Sequence, residues 1–190
     1  MIKPKTLLLL LLIVAICMQI RCYSIDYSRA EAYIKRSTTT KNTGNLLFRV
    51  EADREEYHLG TPIYLVFSLE NADTVPFFVN KRFAVDAFNS PASVREVYLE
   101  VVSPAKRGLL FRYLIEKGYV VRENFVCLCP GEKIYSSKFL LNDDYEIDEV
   151  GKYKIVGVYE NYWGPEFGFR NAWMGKVESE PVEFEVLPIE

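Results

Sequence analysis

Histidine is almost missing from this sequence, and that scarcity narrows its chemistry at once. Among 190 residues His58 is the single histidine, and the four cysteines fall at 17, 22, 127 and 129. One imidazole and two widely separated cysteine pairs do not make a zinc framework or a histidine-based catalytic set. Positive charge is also in short supply. The 23 Lys and Arg stand against 26 Asp and Glu, a net charge of −3, which argues against a dedicated nucleic-acid binder. Phosphate loops, nucleophile elbows, HExxH pairs and dinucleotide fingerprints are absent too. The expectation is therefore a non-enzyme with no cofactor and no metal. His58, alone in Tyr57-His58-Leu59-Gly60, reads as a surface turn residue.

What is present begins with an export signal. Lys3 and Lys5 precede an eleven-residue apolar run from Leu7 to Cys17, and Ala15 and Cys17 supply small residues for cleavage. A spanning helix needs about 20 apolar residues, and Gln19 and Arg21 interrupt this run. Residues 1–22 are read as a signal peptide, which predicts a secreted, periplasmic or cell-surface protein. Cys22 is a possible lipid-anchor site, but a bulky Arg21 before it is unlike a lipobox. Without residues 1–22 the chain carries 20 basic and 26 acidic groups, and residues 140–190 hold 12 of the acids against 4 bases. Residues 23–44 are polar, without apolar periodicity, and read as a tether spanning about 26 Å.

From residue 45 to 190 the apolar pattern has period two. Ile63, Leu65, Phe67 and Leu69 alternate with more polar neighbours, as do Val97, Leu99 and Val101, and Val182, Phe184 and Val186. Further strands fit 46–52, 75–79, 109–114, 120–127, 134–140 and 152–159, separated by Gly, Pro, Asn and Asp turns. No long amphipathic helix competes. About eight to ten short strands predict an all-β, two-sheet sandwich.

Gly151-x-Tyr153 narrows the sandwich type. Tyr153 stands at the start of a strand, two residues before apolar Ile155, where immunoglobulin-like domains carry a tyrosine whose hydroxyl bonds back to the preceding turn. Ile155 occupies the usual second-cysteine place, so the expected immunoglobulin-like β-sandwich has no inter-sheet disulfide. Tyr57-x-x-Gly60-x-x-Ile63-x-Leu65-x-Phe67-x-Leu69-x-Asn71, Pro130-Gly131-Glu132 and Gly151-x-Tyr153 together resemble the bacterial BsuPI-type proteinase-inhibitor domain and related exported bacterial proteins. The resemblance covers roughly residues 47–187. It implies the sandwich fold and offers proteinase inhibition as one alternative function, and it transfers no site residue.

Two long connections are the candidate contact regions. Residues 160–180, ENYWGPEFGFRNAWMGKVESE, carry Tyr162, Trp163, Phe167, Phe169, Arg170 and Trp173, including both tryptophans of the protein. Long loops in compact domains are commonly functional, and rigid aromatics make good anchors. The same residues could instead form a hairpin that covers an open core edge, with Gly164-Pro165 as its turn. Residues 80–94, with Arg82, Phe83 and Phe88, form the second candidate. Cys127 and Cys129 are expected to be buried small side chains, and the acidic run 142–149, which lacks the spacing of a calcium loop, a solvated turn. The resulting expectation is a recognition domain with a protein partner, neither nucleic acid nor membrane being bound except through an anchor. A structural subunit of an envelope assembly is the other alternative.

Overall fold

Residues 45–87, 95–112 and 119–189 are described by a computed structural model. The export segment, the tether, Cys17, Cys22 and Phe88 lie outside these residues. Alternating apolar residues become strands wherever one face can be buried. In chain order these are β1 (Leu46–Ala52), β2 (Glu56–His58), β3 (Tyr64–Asn71), β4 (Phe77–Asn80), β5 (Val97–Val102), β6 (Gly108–Leu109), β7 (Phe125–Leu128), β8 (Lys133–Tyr135), β9 (Phe139–Leu140), β10 (Gly151–Asn161), β11 (Gly175–Glu178) and β12 (Val182–Leu187). Helix is limited, among the described residues, to one turn, α1 (Leu141–Asp144), and to 3-10 turns at Arg122–Asn124 and Pro165–Phe167. The domain is all-β, and its two described cysteines, Cys127 and Cys129, are free.

One sheet pairs β1 with β3, and β8 and β9 follow on the other edge of β3. The larger sheet runs β2-β12-β10-β5-β6, with β11 paired to the far end of β10. Its ladders are antiparallel except β2 against β12. A two-stranded ribbon, β4 with β7, stands apart. Phe48, Val50, Leu65, Phe67 and Leu69 of the first sheet share one core with Leu99, Val101, Tyr153, Ile155, Phe184 and Val186 of the second. The sheets come close together at Gly157 on β10. A methyl group there would lie 2.4 Å from Cγ2 of Val50 and 2.9 Å from Cε1 of Phe48. On the solvent face of the larger sheet, Lys152 and Lys154 of β10 stand opposite Glu185 and Glu183 of β12, so part of the C-terminal acidity is balanced across the ladder.

Two tyrosines tie their own turns. The Tyr153 hydroxyl accepts from the Glu149 N–H at 2.9 Å and donates to the Glu149 carbonyl at 3.0 Å. The Tyr57 hydroxyl accepts from the Arg54 N–H at 3.0 Å and donates to Asp53 Oδ1 at 2.7 Å. Between the two rings lies Phe184, stacked on Tyr153 at 5.4 Å and edge-on to Tyr57 at 5.5 Å. Burying a phenol favours its neutral form, and the Asp53 carboxylate adds to this, so the Tyr57 pKa is pushed up to about 12.

Several expectations are corrected here. The 134–140 segment divides into β8 and β9 because Ser136 stands between them. Its Oγ accepts the Phe67 N–H at 2.9 Å, a side chain filling one place in the ladder. The 120–127 segment opens as a 3-10 turn, closed by Asn124, whose Oδ1 accepts the Val121 N–H. The 109–114 strand contracts to β6, with 113–114 beyond the described residues. The acidic run is a solvated turn only in part, with Asp143, Glu146 and Asp148 exposed. It opens with α1, which buries Leu141 and Asp144, and Asn142 Oδ1 accepts the Ile63 N–H at 2.7 Å. Cys127 and Cys129 are exposed rather than buried, because Leu128 between them takes the inward position.

Candidate contact surface

The 160–180 connection grows out of the β10–β11 hairpin, whose last cross-strand pair is Asn161 with Gly175. Buried Asn161 staples its base. The side-chain amide donates to the carbonyls of Trp163 at 2.9 Å and Trp173 at 2.6 Å. The chain then makes the Pro165–Phe167 turn and reverses at Gly168, whose φ of 91° suits glycine. It returns beside β4, where the Phe78 N–H donates to Asn171 and the Trp173 N–H to Phe78. The returning segment thus extends the β4–β7 ribbon by a third chain. This placement corrects the expectation for both tryptophans. Trp163 and Trp173 are only 5% and 6% exposed, and Trp173 packs 5.7 Å from Tyr159. They close the end of the core and offer no contact face.

The outer face is aromatic all the same. Phe169 lies 4.4 Å from Phe78 and 5.2 Å from Phe125, and Phe167 lies 5.6 Å from Phe125. Phe125 is the buried floor, while Phe78, Phe167 and Phe169 remain half-buried. The Arg122 guanidinium sits 5.4 Å above the Phe169 ring. Exposed Arg170 follows directly on the same segment. Tyr162 belongs to a different cluster. Burial and then the Glu160 charge push its phenol up, while Arg95 and Lys176 pull it down.

The described part of the 80–94 connection, residues 80–87, contributes structure more than surface. Phe83 is buried, 6.4 Å from Phe67 and 6.3 Å from Tyr159, so its expected contact role is also corrected. It holds a φ of 51°, unusual for a bulky residue. A carboxylate braces it. Glu96, 1% exposed, accepts from the Ala84 N–H at 3.0 Å, from Asn80 Nδ2 at 2.9 Å and from Arg82 Nε at 2.9–3.0 Å. Arg82 therefore serves as the counter-ion of a buried acid. The same Asn80 presents its carbonyl to the Tyr159 hydroxyl at 2.8 Å. Burial, and secondarily the Glu96 charge, hold that phenol well above its ordinary pKa.

The structure brings Phe167 and Phe169 together with three residues the sequence reading missed: Phe78, Phe125 and Arg122. Both strands involved overlap segments read as strands, 75–79 and 120–127. Their pairing, Phe78 opposite Cys127 and Asn80 opposite Phe125, is non-local and leaves no periodic signal. The assembled patch holds aromatic faces and a guanidinium, groups suited to van der Waals and cation–π contact. Among the described residues, no group of three or more His, Cys, Asp or Glu side chains is arranged to hold a metal, and no helix is long and apolar enough to cross a membrane.

No protein-family model matches the chain, and no curated protein matches it. One solved structure that it matches is the β-glucosidase from Listeria innocua in complex with glucose. The two are 13% identical, with a TM-score of 0.32, and the match covers 75% of this chain and 16% of the β-glucosidase. The chain thus spans a small part of that enzyme's length, and so distant a likeness transfers neither architecture nor activity.

Proposed function

We propose that this chain is an exported, non-enzymatic domain of immunoglobulin-like sandwich architecture that acts by recognising a protein partner. The architecture is supported by two sheets sharing one core and by the Tyr153 hydroxyl closed on the Glu149 backbone. The recognition surface is the ridge formed by Phe78, Phe167 and Phe169, with Arg122 stacked on it. The observation that carries this reading is the placement of these half-buried rings on a braced frame. Asn161 fixes the base of the hairpin and the β4 ladder fixes its return, so binding would cost little further ordering. Aromatic and Arg anchors are enriched where binding energy concentrates.

The test is capture by the full-length chain from envelope and culture-medium fractions of the producing cell, run beside Phe169→Ala and Arg122→Ala. A partner held by the parent and lost by variants with parent-like melting supports the reading. Equal capture by all three proteins refutes the assignment of the surface.

A further inference from the structure

The two exposed cysteines are not part of the aromatic ridge, although Cys127 stands directly across the ladder from Phe78. The frame under them is unusually well fixed. Leu128, between them, is 0% exposed, and its carbonyl accepts from the Asn71 side-chain amide at 2.8 Å. Cys127 is held by the β4–β7 register. Cys129 is held by its N–H on Glu132 Oε2 at 2.9 Å and by the Pro130-Gly131 turn, in which the Glu132 N–H bonds the Cys129 carbonyl at 2.9 Å. With Leu128 turned inward, both thiols project to solvent from the same side. Extended backbone sets their Cα atoms about 6.6 Å apart, near the upper limit for a disulfide. A single metal atom between the sulfurs adds two metal–sulfur bonds to that span and relieves the constraint.

We infer that Cys127 and Cys129 form a two-coordinate site for a soft monovalent d¹⁰ cation, with Cu(I) as the natural probe. Thiolate ligands favour soft ions. Zinc favours four protein ligands in a closed site, and no third candidate ligand joins the pair among the described residues. Binding exchanges the two thiol protons for one Cu(I), forming two Cu–S bonds with no change in oxidation state. Glu132 acts indirectly, by orienting Cys129.

The test is a competition titration of Cu(I), kept reduced by ascorbate, between bicinchoninate and the full-length chain carrying Cys17→Ser and Cys22→Ser. One Cu(I) per chain is expected, with thiolate-to-copper absorption in the ultraviolet. Adding either Cys127→Ser or Cys129→Ser should abolish uptake while leaving the melting temperature unchanged, since both side chains are exposed. Zn(II) should not be taken up at the same concentration. Failure of the parent to take Cu(I), retention by either single variant, or equal uptake of Zn(II) overturns the assignment.

Discussion

The contact between Gly157 and β1 allows the packing of the two sheets to be tested with one methyl group. Gly157 has no left-handed φ, so Gly157→Ala introduces no backbone strain. Alanine would stabilise the domain by about 0.4–1 kcal/mol through the unfolded chain alone. The new methyl would lie 2.4 Å from Cγ2 of Val50 and 2.9 Å from Cε1 of Phe48, both in the core. Overpacking of this kind costs about 1–3 kcal/mol, so the steric term should win and the variant should be destabilised. At about 2–4 °C per kcal/mol for a domain of this size, the melting temperature should fall by several degrees.

Val50→Ala by itself removes two methyl groups and leaves a cavity, at about 2–3 kcal/mol. In the double variant the alanine methyl at 157 occupies part of that cavity. The combined loss should therefore be smaller than the sum of the single losses by about 1–2 kcal/mol. Urea unfolding of the four proteins, followed by circular dichroism, measures the cycle. Additive losses within about 0.5 kcal/mol, or a Gly157→Ala variant as stable as the parent, would refute the close approach of β10 to β1.

Three further outcomes follow from the polar framework. Tyr153→Phe strands the N–H and the carbonyl of Glu149 and should cost about 1–3 kcal/mol in chemical denaturation; a loss below about 0.5 kcal/mol would deny the hydroxyl its turn-closing role. Glu96→Ala removes the acid that Arg82, Asn80 and Ala84 converge on and should cost about 3–5 kcal/mol, whereas Arg107→Ala at the exposed Arg107–Glu149 pair should stay within about 1 kcal/mol; similar melts for the two variants would count against the buried network. The Tyr57 phenol titrates at an ordinary 10.0 in the unfolded chain and at about 12 in the fold, so its contribution is fully present below pH 10 and is lost as pH rises through about 12. Thermal melts should weaken across that window, and Tyr57→Phe should flatten part of the fall; an unchanged slope would show that Tyr57 does not carry it.

Periodicity made the strands legible in the sequence because each buries one face. The ranges 46–52 and 97–102 coincide with β1 and β5, and those at 152–159 and 182–186 lie within β10 and β12. Three-residue β2 was invisible because so short a parallel strand holds only one buried residue, Tyr57. β11 belongs to the 160–180 segment, for which the sequence left open a binding loop or a hairpin over the core edge, and the β10–β11 pairing with both tryptophans buried matches the hairpin. Tyr153 was legible because the tyrosine closes on a residue only four positions away. The β4–β7 ribbon was not, since its partners are joined across more than forty residues and pairing leaves no mark in either strand alone.

The misplacement of the contact residues has the same physical origin. Aromatic content along 160–180 signals that large apolar surfaces must be accommodated, yet it does not say on which side of the chain. Indole rings offer the most apolar area, and the open end of the core lies beneath the hairpin, so Trp163 and Trp173 go inward. Once Asn161 fixes the base and the Trp173 N–H bonds Phe78, Phe169 is turned against the outer side of β4 and β7. There it meets Phe78 and Phe125, which the ribbon already presents. The aromatic ridge is therefore assembled from separate stretches of chain, Phe78 from β4 and Phe167 and Phe169 from the 160–180 connection. Its guanidinium comes from a third place, the 3-10 turn that precedes β7.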